Sequence, residues 1–263
     1  MEMNEIRKAN RKALPKFILL MIISLIAGGV IGYFSARFSL GSLAGGLKSA
    51  GAFFGSNVAP WLMFAIAVID PIVSLSLYGS AKKLFSPWDE EDEEVADTFE
   101  RKLSIVIWIT SAALTLSFFL IAAVYSGGLA AFEDKASAVL LLASVVAFLG
   151  ILAETVLIQQ KCVDATKLLH PEKKGSIYDM KFHKKWLDSC DEAEKIMIGK
   201  CAYKSYSLTN TVCAFLAIVL AICALFFDIG FLPSFAVCLI WIVNQSAYCQ
   251  EAIRYSKAGN KIS

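Results

Sequence analysis

Apolar residues along this chain gather into long, nearly uninterrupted runs rather than into stripes spaced three or four positions apart. A helix rises about 1.5 Å per residue, so about 20 apolar residues cross a hydrocarbon core roughly 30 Å thick. Six runs meet that length: Phe17 to Phe34, Val58 to Tyr78, Ser104 to Tyr125, Ala136 to Ile158, Leu208 to Phe227 and Phe231 to Gln250. The first follows Arg7, Lys8, Arg11, Lys12 and Lys16, as a signal peptide would. Its length exceeds the roughly 7 to 15 apolar residues of a cleavable leader and no good cleavage site follows, so it reads as a retained span.

Composition supports that pattern. Of 263 residues 57% are hydrophobic and only 18% charged, which argues against a water-soluble globular domain and against disorder. A formal net charge of +2 leaves no basic field for a nucleic-acid backbone. The distribution of charge says more. If the amino terminus is cytoplasmic, 22 lysines and arginines fall on the cytoplasmic side and three, Arg37, Lys48 and Lys135, on the other. The expected fold is all-α: a polytopic membrane helix bundle of six transmembrane helices in three hairpins, forming a single membrane domain over 1–263. Both termini are expected in the cytoplasm, as are loops 79–103 and 159–207.

Each hairpin's second helix carries a polar residue and then a lysine 13 positions later: Asp70 and Lys83, Glu154 and Lys167, Asn244 and Lys257. A degenerate repeat explains this, but the positive-inside rule alone explains it more simply. Asp70 precedes Pro71 inside the second span, where a carboxylate costs about 2.5–3.5 kcal/mol and should face protein or water. Asp70, Glu154, Asn244 and Gln245 thus form a candidate intramembrane polar cluster, either a shared site for a proton, cation or polar solute or a structural hydrogen-bond group. Ser24, Gly28, Gly32 and Ala36 leave a small-residue face for close helix packing. The segment 35–55 has the composition of a surface-lying or re-entrant piece.

Two polar segments stand out. Asp89, Glu90, Glu91, Asp92, Glu93 and Glu94 form an acidic run, read as a solvated loop or helix start with docking of a basic partner as the sharper alternative. In 159–207 the fourth helix should continue to His170 and break at Pro171. Lys181, Phe182, Lys184, Lys185 and Trp186 then compose a short interfacial helix suited to anionic headgroups. Asp188 or Ser189 should cap a further helix whose start carries Asp191, Glu192 and Glu194 and which runs into the fifth span. These positions form the candidate cytoplasmic interaction surface.

The same segment carries a resemblance. Pro171 to Gly175, then Asp179, Lys181, Phe182, Lys184 to Leu187, Ser189 to Lys195, and Ala202, Tyr203, Lys204 and Tyr206 resemble the signature stretch of a mainly Gram-positive bacterial membrane-protein family, domain of unknown function 3169. His183 departs from the glutamine expected there. The resemblance implies a multi-pass protein of a bacterial plasma membrane and brings no activity, substrate or site.

No metal-binding His-Glu-x-x-His pair, nucleophile elbow or phosphate-binding glycine loop occurs, and the two histidines stand apart. The seven cysteines avoid the outer loops and lack zinc spacing, so neither disulfides nor a metal is expected. No catalytic residue and no cofactor is assigned. The leading expectation is a non-enzymatic accessory, sensory or immunity-type component acting through its cytoplasmic loops. The alternative is a transporter or the permease subunit of an ATP-driven exporter. Expected partners are the lipid bilayer with its anionic headgroups and a cytoplasmic protein or ATPase, with a homodimer as an open alternative and no nucleic acid.

Overall fold

The computed structural model describes residues 49–85, 93–126, 134–227 and 229–257, together with Leu19, Ile22, Ile23, Ile26, Val30 and Gly46. A π-helical turn, Phe54–Val58, leads into α1, Ala59–Phe85; α2 is Glu93–Tyr125, α3 Lys135–Leu169, α4 Phe182–Asp188, α5 Glu192–Phe227 and α6 Leu232–Lys257. The described residues contain no strand, and five helices among them are long and apolar enough to cross a membrane: Ser49–Leu84, Glu94–Tyr125, Lys135–Leu169, Glu192–Ala224 and Leu232–Arg254. This is a polytopic membrane helix bundle. Of the expected first span only Leu19, Ile22, Ile23, Ile26 and Val30 are described, all helical. The rest of that span, its small-residue stripe, most of segment 35–55 and Asp89 to Asp92 lie outside the described residues.

The helices outrun the apolar stretches because length to cross the bilayer and length to the next helix breaker are separate constraints. The apolar run beginning at Val58 belongs to a helix that starts upstream, at Ser49, and passes through the π-helical turn. The expected fourth span lies within the 35 residues of α3. Asp134 caps its start, accepting from the Ser137 amide at 3.0 Å, and Pro171 stops its end just after His170.

The chain forms two compact units, Lys48–Ser205 and Met1–Leu47 with Tyr206–Ser263. In the first, α1, α2 and α3 pack against one another. Small side chains occupy much of the interior, with Ala59, Ala81, Ser74, Ser117 and Ser144 fully buried, while Ile72, Trp108, Phe118 and Val146 point outward. Apolar side chains gain nothing by leaving lipid for protein, so close van der Waals approach must hold such helices together. Gly55 shows how close: a Cβ there would lie 2.3 Å from the Ala123 carbonyl oxygen.

Two apolar clusters stack along this unit. Ala59, Met63, Leu120, Ile121, Val124, Leu141 and Ile151 make one. Ala81, Phe99, Leu103, Val106, Ile158, Cys162 and Ala165 make the other, at the end carrying Lys82, Lys83 and Lys102. In the second unit Tyr206 stacks on Tyr248 with ring centroids 4.4 Å apart.

Candidate functional site

Polar side chains separate the two clusters. On α1, Met63 and Ala67 belong to the first cluster and Leu77 and Ala81 to the second, so Asp70 and Ser74 fall between them. The register of α3 does the same, because Glu154 and Thr155 follow Ile151 and precede Ile158 on its buried stripe. Thr110 holds the corresponding place on α2 and is fully buried.

Asp70 is only 4% exposed. Ser74 Oγ donates to its Oδ1 at 3.1 Å, and Pro71, lacking an N–H, frees the carbonyl one turn back on α1. Gln159 Nε2 donates to Thr110 Oγ1 at 3.2 Å and to Ser111 Oγ at 3.0 Å, tying α3 to α2. Asp70 on α1 and Glu154 on α3 stand on helices that pack against each other. Three buried oxygens in the layer have no hydrogen-bond partner among the described residues: Asp70 Oδ2, Glu154 Oε2 and Thr155 Oγ1. A cleft of about 560 Å³ runs along α1 and α2 past Ile66, Trp108 and Leu116, and Asp70 is the sole ionisable residue among its described lining.

Of the four residues expected to cluster, Asp70 and Glu154 lie in this layer of the first unit, on the packed helices α1 and α3. Asn244 and Gln245 belong to the second unit, where Asn210 Oδ1 accepts from Trp241 Nε1 at 3.0 Å and from Asn244 Nδ2 at 3.5 Å. Ser74, Thr110, Thr155, Gln159 and Asn210 are additions from the structure. One turn of helix from Asp70 to Ser74 was a signal for the first, but hydroxyls inside apolar runs are too common to single out.

The second constellation is the folded connection between α3 and α5. Gln160, 8% exposed near the end of α3, accepts at Oε1 from the Ile177 amide at 2.7 Å and from Ser176 Oγ at 2.9 Å. Its Nε2 donates to Asp164 at 2.8 Å, so one side chain fixes the returning loop to its own helix. Gly175 has φ +131°, a conformation L-residues rarely adopt, and its α-carbon faces the Phe182 ring. Lys174 N–H donates to Ser189 Oγ at 3.0 Å. His170 Nε2 lies 2.6 Å from Glu100 Oε1, linking the loop to α2.

At the centre Lys173, 5% exposed, donates to Glu194. Burial works against its charge, yet the Glu194 carboxylate and Cys190 sulfur outweigh that and hold the ammonium above its usual range. Glu194 also accepts from the Asp191 amide at 2.9 Å while Asp191 Oδ1 accepts from the Glu194 amide at 2.7 Å, a reciprocal capping box. Asp191 is therefore the cap of α5, in place of the expected Asp188 or Ser189. Ser189 is engaged elsewhere, donating to the Trp186 carbonyl at 2.7 Å.

The remaining surface candidates divide by direction. Lys181, Lys184, Lys185, Asp191 and Glu192 are exposed, with Tyr178 and Met180 beside them. Phe182 and Trp186, one turn apart on α4, are half-buried and lie against each other, ring centroids 5.6 Å apart. Lys185 pairs with Asp179, whose carboxyl is held below its usual range by that bond and by the Lys181 amide. Of the acidic run, Glu93 and Glu94 open α2. Among the described residues no three of His, Cys, Asp or Glu are grouped to hold a metal.

No curated protein and no solved structure matches the chain. The family model described as "Protein of unknown function (DUF3169)" matches residues 11–252, and with that share of its length covered this multi-pass membrane chain belongs to that family.

Proposed function

We propose that the protein is a non-enzymatic accessory, sensory or immunity-type component of a bacterial plasma membrane, acting through a cytoplasmic protein partner that docks on the platform between α3 and α5. The supporting observation is the burial of Lys173 against Glu194: the connection is a fixed surface with its own interior, while Lys181, Lys184 and Met180 face outward. A mere linker would expose all its lysines to water. Replacing Lys181 and Lys184 with glutamate should remove a co-purifying protein after gentle extraction while leaving membrane insertion intact. Trp186 is best left in place, since its half-buried ring supports the fold. An unchanged set of co-purifying proteins overturns the reading.

A second reading, a transporter or the permease subunit of an ATP-driven exporter, draws support from the Asp70–Glu154 layer, since buried carboxylates in membrane helices commonly mark ion pathways. Loss of flux in proteoliposomes carrying Asp70→Asn supports it. Unaltered flux, or no flux from wild type, counts against it.

A further inference from the structure

Two carboxylate oxygens of the polar layer have no donor directed at them among the described residues. Among the described residues Asp70 Oδ2 and Glu154 Oε2 are buried acceptors with nothing to accept from, and an unpaired buried polar atom is costly. The charge balance is as uneven. On α1 the nearest other titratable group is Tyr78, two turns away; α2 has none between Lys102 and Tyr125; α3 has none from Ala136 to Ile158 except Glu154. Among the described residues of this unit no lysine, arginine or histidine stands on these stretches of α1, α2 and α3 to balance the two carboxylates. Among the described residues the lining of the cleft is apolar apart from Asp70.

We propose that Asp70 and Glu154 together hold one exchangeable proton in the interior of the α1–α2–α3 unit. On uptake one of the unpaired carboxylate oxygens gains an O–H bond and turns from an unsatisfied acceptor into a donor. One of the two charges is removed, while the other stays tempered by the Ser74 hydroxyl on Asp70 Oδ1 at 3.1 Å. On release the proton returns to water and the pair carries both charges. Such a group senses or moves protons under either functional reading, and the inference rests on neither.

Infrared difference spectroscopy on the full chain in lipid nanodiscs tests this. Wild type minus the Asp70→Asn, Glu154→Gln double variant should show, at neutral pH, a protonated carboxyl carbonyl band that shifts in heavy water. The band should fade about tenfold per pH unit once the proton leaves. A hydrophobic carbodiimide, which reacts with protonated carboxyls, should add once per chain, at Asp70 or Glu154, and not to the double variant. Both replacements are near-isosteric, and size-exclusion profiles show whether the variant folds. Absence of the band overturns the proposal. So does its loss on adding excess sodium or potassium at constant pH, which identifies a cation site, and so do two adducts per chain, which identify independent acids.

Discussion

Lys173 and Glu194, 21 residues apart, form an ion pair in which the lysine side chain is 2% exposed and the glutamate side chain 29%. The asymmetry decides which partner is indispensable. Removing Glu194 strands a buried cation, whereas removing Lys173 leaves a carboxylate that turns to water and keeps its capping bond to the Asp191 amide.

Glu194→Gln should therefore destabilise the platform more than Lys173→Met does: about 3 kcal/mol for the stranded charge, against about 1 kcal/mol for a lost bond whose site an apolar side chain refills. Hydrogen exchange over residues 170–200 measures this as faster exchange in Glu194→Gln. Equal protection in the two variants would show that the pair is not the anchor of the loop.

Gly175 tests the turn that brings α4 back. An added Cβ would sit 3.0 Å from Phe182 Cδ2, and φ +131° is strained for any L side chain. Gly175→Ala should cost about 1–3 kcal/mol. Trimming the ring with Phe182→Leu should restore little, because the backbone term remains. Gly230, with φ +70° and open space around its α-carbon, is the control: Gly230→Ala should cost about 1–2 kcal/mol through conformation alone. Limited proteolysis at Lys181 and Lys184 reads the first effect, and full recovery in the Phe182→Leu double variant would show that crowding alone was responsible.

Which parts of this were legible in the sequence follows from the range of the forces involved. An apolar run such as Ser104 to Tyr125 declares its span locally, because each residue meets lipid whatever its neighbours do. Pro171 ends α3 for an equally local reason. The Asp191–Glu194 capping box was written in the chain, but Asp188 and Ser189 offered equally good caps until Ser189 was seen turned toward Lys174 and Trp186. Register between helices is not local. Glu154 shares a layer with Asp70, and Asn244 meets Asn210, only because of how α1 packs on α3 and α5 on α6. Alternating lysines and aromatics around Trp186 suggested a headgroup-binding helix. The four-residue step from Phe182 to Trp186 sets both rings on one side of α4, where they contact each other and Phe182 closes over Gly175.

The platform should also fail at both ends of the pH scale for identifiable reasons. Asp179 is held below its ordinary value of 3.8 by Lys185 and the Lys181 amide, so its contribution is complete above pH 3.8 and disappears as pH falls through the lower, folded-state value. Lys173 is held above 10.5, so its contribution is complete below pH 10.5 and disappears as pH rises through the folded-state value. Between these limits both groups contribute a constant amount, and any change near neutrality must come from another residue. Emission from Trp186, in a variant whose other four tryptophans are phenylalanine, follows both transitions. Asp179→Asn should abolish or shift the acid step while sparing the alkaline one, and Lys173→Met should do the reverse. An acid step unmoved in Asp179→Asn would assign that transition to a different carboxylate and remove the Lys185–Asp179 pair from the account of what holds α4 in place.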